Sequence, residues 1–318
     1  GARLARSLRG RSRVCTSIVL GPMSHFDRNV RIGVVHAGRL GSSLAVALAE
    51  AGYSVAVVHR SDLAAAQAVA RRIKGARPTD VAQDVVDESD VVFLTCVDRR
   101  LGQVAGRLRF RAEQAVLHCS GATPVSVLSS SSSTHGPLRG GIHPLQLFPD
   151  AYGEGRFRGI TFSIEAEDEG LRRWLTEVVS RLGGRAVPIT ESERAVYHAS
   201  ATLVSPLLSG MVALAADLWQ EMGRSREEAL EALAPLIRAT VEQIEHVGIP
   251  AAITGPFSRG DVSTVERHLE ALKNVDTDVL RVYAALGLAQ LPLAEEGREI
   301  SVRDRLILEE LLRSAAGL

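Results

Sequence analysis

VRIGVVHAGRLGSSLAVALAEAGYSVAVVHRS, residues 30–61, reads as a strand, a glycine turn, a helix and a second strand. The apolar run from Val30 to Val35 enters a turn holding Gly38 and Gly41, after which Leu44, Ala45, Leu48 and Ala49 recur at helical spacing. Gly52 stops that helix, and a short strand from Ser54 to Val58 delivers His59, Arg60 and Ser61. A βαβ unit with such a turn is the arrangement that sets a dinucleotide's pyrophosphate on a helix N-terminus. The fingerprint G-x-G-x-x-G would begin at position 36, where His36 stands. Gly38 keeps the task of letting backbone approach the pyrophosphate, and Gly41 that of packing helix on strand; the glycine of the tight turn is lost. If position 36 needs a glycine backbone, strain costs about 1–3 kcal/mol, against about 8 kcal/mol for micromolar binding. Strain alone therefore weakens a cofactor without excluding it. The candidate cofactor loop is His36, Ala37, Gly38, Arg39, Leu40 and Gly41.

The residue after the second strand bears on cofactor type. An acidic residue there accepts from the ribose 2′-hydroxyl of NAD, whereas arginine pairs with the 2′-phosphate of NADP. Arg60 and Ser61 point to NADP over NAD. The plainer alternative is a solvated surface arginine, since Lys74 and Lys273 are the only lysines in an arginine-rich chain.

With 318 residues and 46% apolar content the chain can build two domains with real cores. Basic and acidic residues balance at 37 each, which argues against a nucleic-acid footprint and against a polybasic membrane patch. Cys15, Cys96 and Cys119 are scattered, with no C-x-x-C, so neither a disulfide framework nor a metal site is indicated and a cytoplasmic location is expected. The first 22 residues carry five arginines and no acid. They resemble an organelle transit peptide, but upstream sequence read into the product, or a disordered tail, is the preferred reading; residues 1–28 are set outside the fold as a disordered or non-native leader. Ala195 to Ala216 lacks Asp, Glu, Lys and Arg and is long enough to cross a bilayer. Its Tyr197, His198, Ser200, Thr202, Ser205, Pro206 and Ser209 suit a helix buried in protein better than one in lipid, so no membrane span is expected.

Strand and helix signals alternate onward. Strands are expected at Val91 to Cys96, Ala115 to His118, Gly141 to Leu145, Ile160 to Ile164 and Arg185 to Ile189. Helices are expected at Asp62 to Lys74, Leu101 to Leu108 and Glu167 to Leu182. That alternation predicts a doubly wound, mostly parallel sheet over residues 29–190. The serine run Ser129 to Ser133 is a surface connection. Beyond 190 only helical signals remain: one long helix at about 191–222, then starts at Ser225 with Glu228, Ser263 with Glu266 and Ser301 with Asp304. Leu230, Leu233, Ile237, Val241 and Ile244 are expected to face a core. The second domain, 191–318, is thus all-helical, and a sheet domain followed by a helical one predicts a substrate cleft between them.

Three polar segments follow strands or join helices: HCSGA (His118 to Ala122), HPLQLF (His143 to Phe148) and TGPFSRGD (Thr254 to Asp261). Singly, each has a plain structural role: a satisfied core histidine, a turn before proline, a loop ion pair. Together with AGRLG, Arg60-Ser61, Asp98 after a strand, Tyr197-His198-Ala199 and the later His268, they resemble one family along most of residues 30–290. It is the family of Rossmann-like predicted oxidoreductases with a C-terminal helical domain of unknown function, distantly similar to ketopantoate reductase, pyrroline-5-carboxylate reductase and 6-phosphogluconate dehydrogenase. The resemblance implies a homodimer that binds a dinucleotide, here with Asp98 among the cofactor residues, and acts on a small-molecule substrate. In related reductases a lysine on the first long helix of the second domain handles the substrate carbonyl, with an asparagine one turn on; no lysine occurs between Lys74 and Lys273. His198 stands on that helix and could relay a proton to a carbonyl oxygen as hydride arrives. Ser120 and His143 complete the candidate catalytic set, and Gly121, Gln146, Arg259 and Asp261 the substrate-binding set. Pro206 stands where the family shows asparagine; with His36 it makes a catalytically degenerate, dinucleotide-sensing or scaffold protein the alternative reading. Cys119 is read as a buried structural thiol.

Overall fold

The computed structural model describes residues 26–27, 29–129, 136–150, 152, 155–297 and 299–318. The basic leader through residue 22 and most of the serine run lie outside the described residues. The chain divides into two compact units, the first ending at Ala201 and the second running from Thr202 to Leu318.

The first unit is built on β1 (Arg31–Val35), α1 (Arg39–Glu50), β2 (Ser54–His59), α2 (Leu63–Ala70), β3 (Arg77–Thr79), α3 (Ala82–Asp87), β4 (Val91–Leu94), α4 (Leu101–Arg107) and β5 (Ala115–His118). It continues through β6 (Leu138–Pro144), β7 (Thr161–Ala166), α5 (Glu169–Arg181), β8 (Arg185–Pro188) and most of α6 (Glu191–Val204). The eight strands lie in the order β3-β2-β1-β4-β5-β6-β7-β8. β1 to β6 run parallel, β7 turns back antiparallel on β6, and β8 is parallel to β7. Central strands such as β4 and β5 are buried along their whole length, as continuous apolar runs covered on both faces must be. One face buries Leu44, Leu48, Phe93, Leu117 and Trp174; the other buries Val85, Val92, Leu94, Leu101 and Val116. β3 and α3 escape the sequence reading because each is shorter than one clear hydrophobic period.

The second unit contains α7 (Pro206–Gln220), α8 (Arg226–Val247), α9 (Val262–Lys273), α10 (Thr277–Glu296) and α11 (Val302–Ala316). Its core gathers Phe257, Val265, Leu269, Leu280, Ala284, Leu291, Leu308 and Leu312. Ser225 with Glu228 forms a true capping box, and Ser301 caps α11. The capping box expected at Ser263 is corrected: Asp261 is the cap of α9, taking Thr264 N at 3.1 Å, and Ser263 bonds back to Asp261. A carboxylate two residues earlier is the better acceptor for first-turn amides. α10 carries an N-cap, Asp276, without the glutamate partner that signals a box, and was not anticipated.

Two expectations about the apolar helices are overturned. The long helix expected at 191–222 breaks at Ser205, and Pro206 takes the first position of α7, where its missing N–H costs nothing. The stretch Glu191–Gln220 passes a length and hydropathy test for a membrane span, yet only 6% of its most apolar window is buried, so it is not the buried helix expected. Leu230, Val241 and Ile244 do not face a core either: they are 42%, 45% and 40% exposed, and α8 buries only Ala229. The reason is topological, since α8 packs along α7 and leaves its other sides uncovered.

Candidate functional site

The loop between β1 and α1 turns as the missing glycine would. His36 lies at φ +60°, in the left-handed region, which histidine tolerates better than most residues but not freely. Ala37 N donates to His59 O at 2.9 Å, and Gly38 N to His36 O at 2.6 Å. His36 N donates to His59 Nδ1 at 3.1 Å, and the two rings meet edge to face with centroids 4.9 Å apart. The His36 ring is half-buried; burial, and then the charge of Arg100, lower its pKa. His59 is pushed down to about 4 by burial and next by His36. Both rings are therefore neutral at neutral pH.

The two remaining glycines differ in what they do. A Cβ at Gly41 would lie 2.1 Å from Thr95 Oγ1, and that hydroxyl is committed to the carbonyls of Val35 and His36 at 3.1 and 3.0 Å. Gly41 is thus the packing glycine, fitting α1 against the end of β4. Gly38 has φ −72°, and a Cβ there would meet nothing closer than His36 O at 3.8 Å. Neither backbone nor packing requires glycine at 38. The N-terminus of α1 has no side-chain cap and no acidic residue in its first turn. An uncapped helix end behind a glycine that the fold does not need is what a pyrophosphate group requires. Arg60 follows β2, its N–H held by Thr79 O at 3.2 Å, and its side chain forms no ion pair among the described residues. Ser61 beside it is exposed. These residues fit a dinucleotide.

Further along the same carboxyl edge, the ends of β4, β5 and β6 bring polar groups together with α6. Ser120 Oγ donates to Asp98 Oδ2 at 2.6 Å and accepts from the N–H groups of Ala122 and Thr123 at 3.2 and 2.9 Å. Ser120 N donates to His118 Nδ1 at 3.1 Å. His118 is fully buried, and burial followed by the Arg194 charge pushes its pKa down to about 4. His143 on β6 reaches Tyr197 of α6, Nδ1 to Oη 2.8 Å. Its pKa is pushed down to about 4 by burial, then by His198 and Arg194. The His143 and His198 rings lie 6.3 Å apart, and Gly121 sits against both: a Cβ there would be 2.8 Å from His198 Cδ2, 2.9 Å from His143 Cε1 and 3.0 Å from His143 Nε2.

A buried ion pair holds this cluster. Arg194, 1% exposed, donates through Nε to Glu165 Oε2 at 2.9 Å, through Nη2 to the same oxygen, and through Nη1 to Ser120 O at 2.8 Å. Glu165 sits opposite Gly141 in the β6–β7 register, and glycine at 141 leaves room for the guanidinium, since a Cβ would stand 3.0 Å from Nη2.

Comparison with known proteins matches this architecture in two parts: a Rossmann-like domain model covers residues 24–144, and a model named DUF2520, a domain of unknown function, covers residues 160–290. The chain joins a Rossmann-like domain to a DUF2520 domain. No match is found among curated sequences. Among solved structures the chain resembles a candidate NADP oxidoreductase from Bacteroides fragilis, at 24% identity and TM-score 0.66, over 83% of this chain and 99% of that one. A protein from Thermotoga maritima matches at 20% identity and TM-score 0.70, over 84% and 99%. A pyrroline carboxylate reductase from Plasmodium falciparum with NADP bound matches at 14% identity and TM-score 0.54, over 86% and 98%. These likenesses show the fold.

The sequence-derived candidates divide in space. His36 to Gly41, Arg60 and Ser61 surround the α1 N-terminus, while Asp98, Ser120, Gly121, His143 and His198 form the histidine cluster. Asp98, expected at the cofactor, is here the acceptor for Ser120. Gln146 is exposed and uses its side chain to accept from Leu147 N at 2.8 Å. Arg259 and Asp261 belong to the second unit, where Asp261 is occupied as a helix cap. The reading of Cys119 as a buried structural thiol fits its surroundings: burial, then Asp98, pushes it up to about 12. Sequence reasoning overlooked Arg194, Glu165 and Thr95, and it quoted Tyr197 within the family resemblance without giving it a role. For Arg194 a signal existed, because it lies one turn before Tyr197 and His198 on the same helix; for Glu165, a charge in a strand, none did.

Proposed function

We propose that this DUF2520 protein binds NADP and transfers hydride between it and a small carbonyl or hydroxyl compound. The observation that carries the reading is Gly38, a glycine with ordinary φ and room for a Cβ at an uncapped helix N-terminus. Backbone N–H groups of residues 39–41 would hold the pyrophosphate, and Arg60 with Ser61 the 2′-phosphate that favours NADP over NAD. A bound nicotinamide supplies the hydride chemistry. In the reducing direction His198 passes a proton to the carbonyl oxygen and in the oxidising direction takes it back. Ser120, with its hydroxyl committed to Asp98, shapes the turn that carries Gly121. Fluorescence titration with NADPH and NADH tests the reading: NADPH binding tighter than NADH is expected, and no binding of either at millimolar cofactor removes it.

The second reading keeps cofactor binding without turnover. It is favoured by His36 at φ +60° and by Pro206, which opens a new helix where the family carries asparagine. It wins if cofactor binds, a carbonyl library gives no turnover, and His36→Gly with Pro206→Asn creates activity. We propose in addition a cytoplasmic homodimer in which a second copy covers the exposed apolar side chains Leu207 and Met211 of α7 and Leu230, Leu236, Val241 and Ile244 of α8. A 22-residue helix that buries one side chain gains little from its own chain, and so many exposed apolar side chains on two neighbouring helices suit an interface with a second copy.

A further inference from the structure

The His143–Tyr197 pair adds a residue to the proposed reaction. His143 is neutral at neutral pH, so which nitrogen bears the proton decides whether it donates or accepts toward a substrate. Nδ1 is engaged by Tyr197 Oη at 2.8 Å, and Nε2, on the side of Gly121, has no hydrogen-bond partner among the described residues. A phenol is a stronger acid than a neutral imidazole N–H, and an imidazole nitrogen is a stronger base than a phenol oxygen. The O–H···N arrangement therefore outcompetes N–H···O. Ser163 stands directly across the β6–β7 register from His143. Its hydroxyl is buried without a hydrogen-bond partner among the described residues, so His143 is the one side-chain partner the Tyr197 hydroxyl has there. Burial keeps the phenol protonated.

We propose, resting on the oxidoreductase reading, that Tyr197 is a positioning residue: by donating to Nδ1 it fixes His143 as the Nε2–H tautomer, which donates a hydrogen bond to the substrate carbonyl oxygen beside Gly121. His143 then polarises the carbonyl without giving up its proton, and proton delivery remains with His198. The other charged or titratable groups around the ring are Arg194, His198, Asp98 and His118.

The test is 15N NMR of the full chain labelled in histidine, with His143 assigned by its loss in His143→Gln. Wild type is expected to show Nε2 protonated and Nδ1 bare but hydrogen-bonded. In Tyr197→Phe the Nδ1 resonance should move downfield as its donor is lost, and the His143 pKa should rise by about one unit. A protonated Nδ1 in wild type overturns the proposal, as does an unchanged His143 in Tyr197→Phe. Should that variant fail to fold, the wild-type tautomer still decides. On a carbonyl compound that turns over, Tyr197→Phe should lower kcat about tenfold with KM little changed; a reversed pattern overturns the catalytic role. Because the tautomer is read without cofactor, absence of NADPH binding defeats the oxidoreductase reading separately.

Discussion

At position 38 a single hydrogen separates a fold requirement from a functional one. Gly41 cannot be enlarged without displacing Thr95, whereas Gly38 has room for a methyl group. Gly38→Ala should therefore leave the thermal midpoint within about 2 °C and weaken NADPH by about tenfold or more, measured by melting and by titration side by side. Equal affinity would show that the space above the loop is not used. Arg194 gives the opposite case, a charge whose removal harms the fold. Arg194→Met strands Glu165 and the Ser120 carbonyl, and an uncompensated buried charge costs about 3–5 kcal/mol. Chemical denaturation of Arg194→Met should show a loss near the lower end, because Glu165 is partly exposed; a loss under about 1 kcal/mol would mean the pair is not holding the cluster.

Among the elements, α8 makes the clearest demand on something outside the chain. Its apolar positions keep helical spacing, so the sequence pattern correctly announces a helix with one face to bury, but among the described residues it packs chiefly along α7 and buries only Ala229. Light scattering of the purified protein should give about twice the 34.1 kDa chain mass. Val241→Glu should restore the single-chain mass, since an isolated carboxylate in an apolar contact is disfavoured by several kcal/mol. A monomeric wild type would sink the dimer. The break between α6 and α7 belongs to this scale too: Ser205 at φ −126° and ψ −87° ends one helix, and Pro206 starts the next with φ already suited to it.

For the molecule as a whole, three histidines set the acid limit. His59, His118 and His143 are held at about 4 when folded and return to the ordinary value near 6.5 on unfolding. Between those values the unfolded chain binds more protons, so stability is full above pH 6.5 and falls as pH drops toward 4. Each histidine contributes up to about 1.4 kcal/mol per pH unit. Urea midpoints measured from pH 7.5 to 4.5 should decline steeply below 6.5, and His59→Gln should flatten the slope by about a third. A level profile would mean these rings are solvated.

Periodicity carried most of the architecture. The strands of residues 30–35, 54–58, 91–96, 115–118 and 160–164 and their intervening helices are legible because a buried strand must be continuously apolar and a covering helix must repeat its apolar face. The same local chemistry identified the glycine loop at 36–41 and the polar ends of β5 and β6. Contacts between residues far apart in sequence were beyond its reach. Glu165 meets Arg194 only because β7 doubles back beside β6, and Tyr197 meets His143 only because α6 returns to the sheet edge. The distinction between a packing glycine at 41 and an idle one at 38 depends on where Thr95 lies, 54 residues later in the chain. Residue order along this chain determined which segments become strand or helix, because secondary structure answers to neighbours a few positions away. Burial, protonation and partnership at the site were decided by the tertiary structure, because each depends on which distant groups the fold brings within a few ångströms.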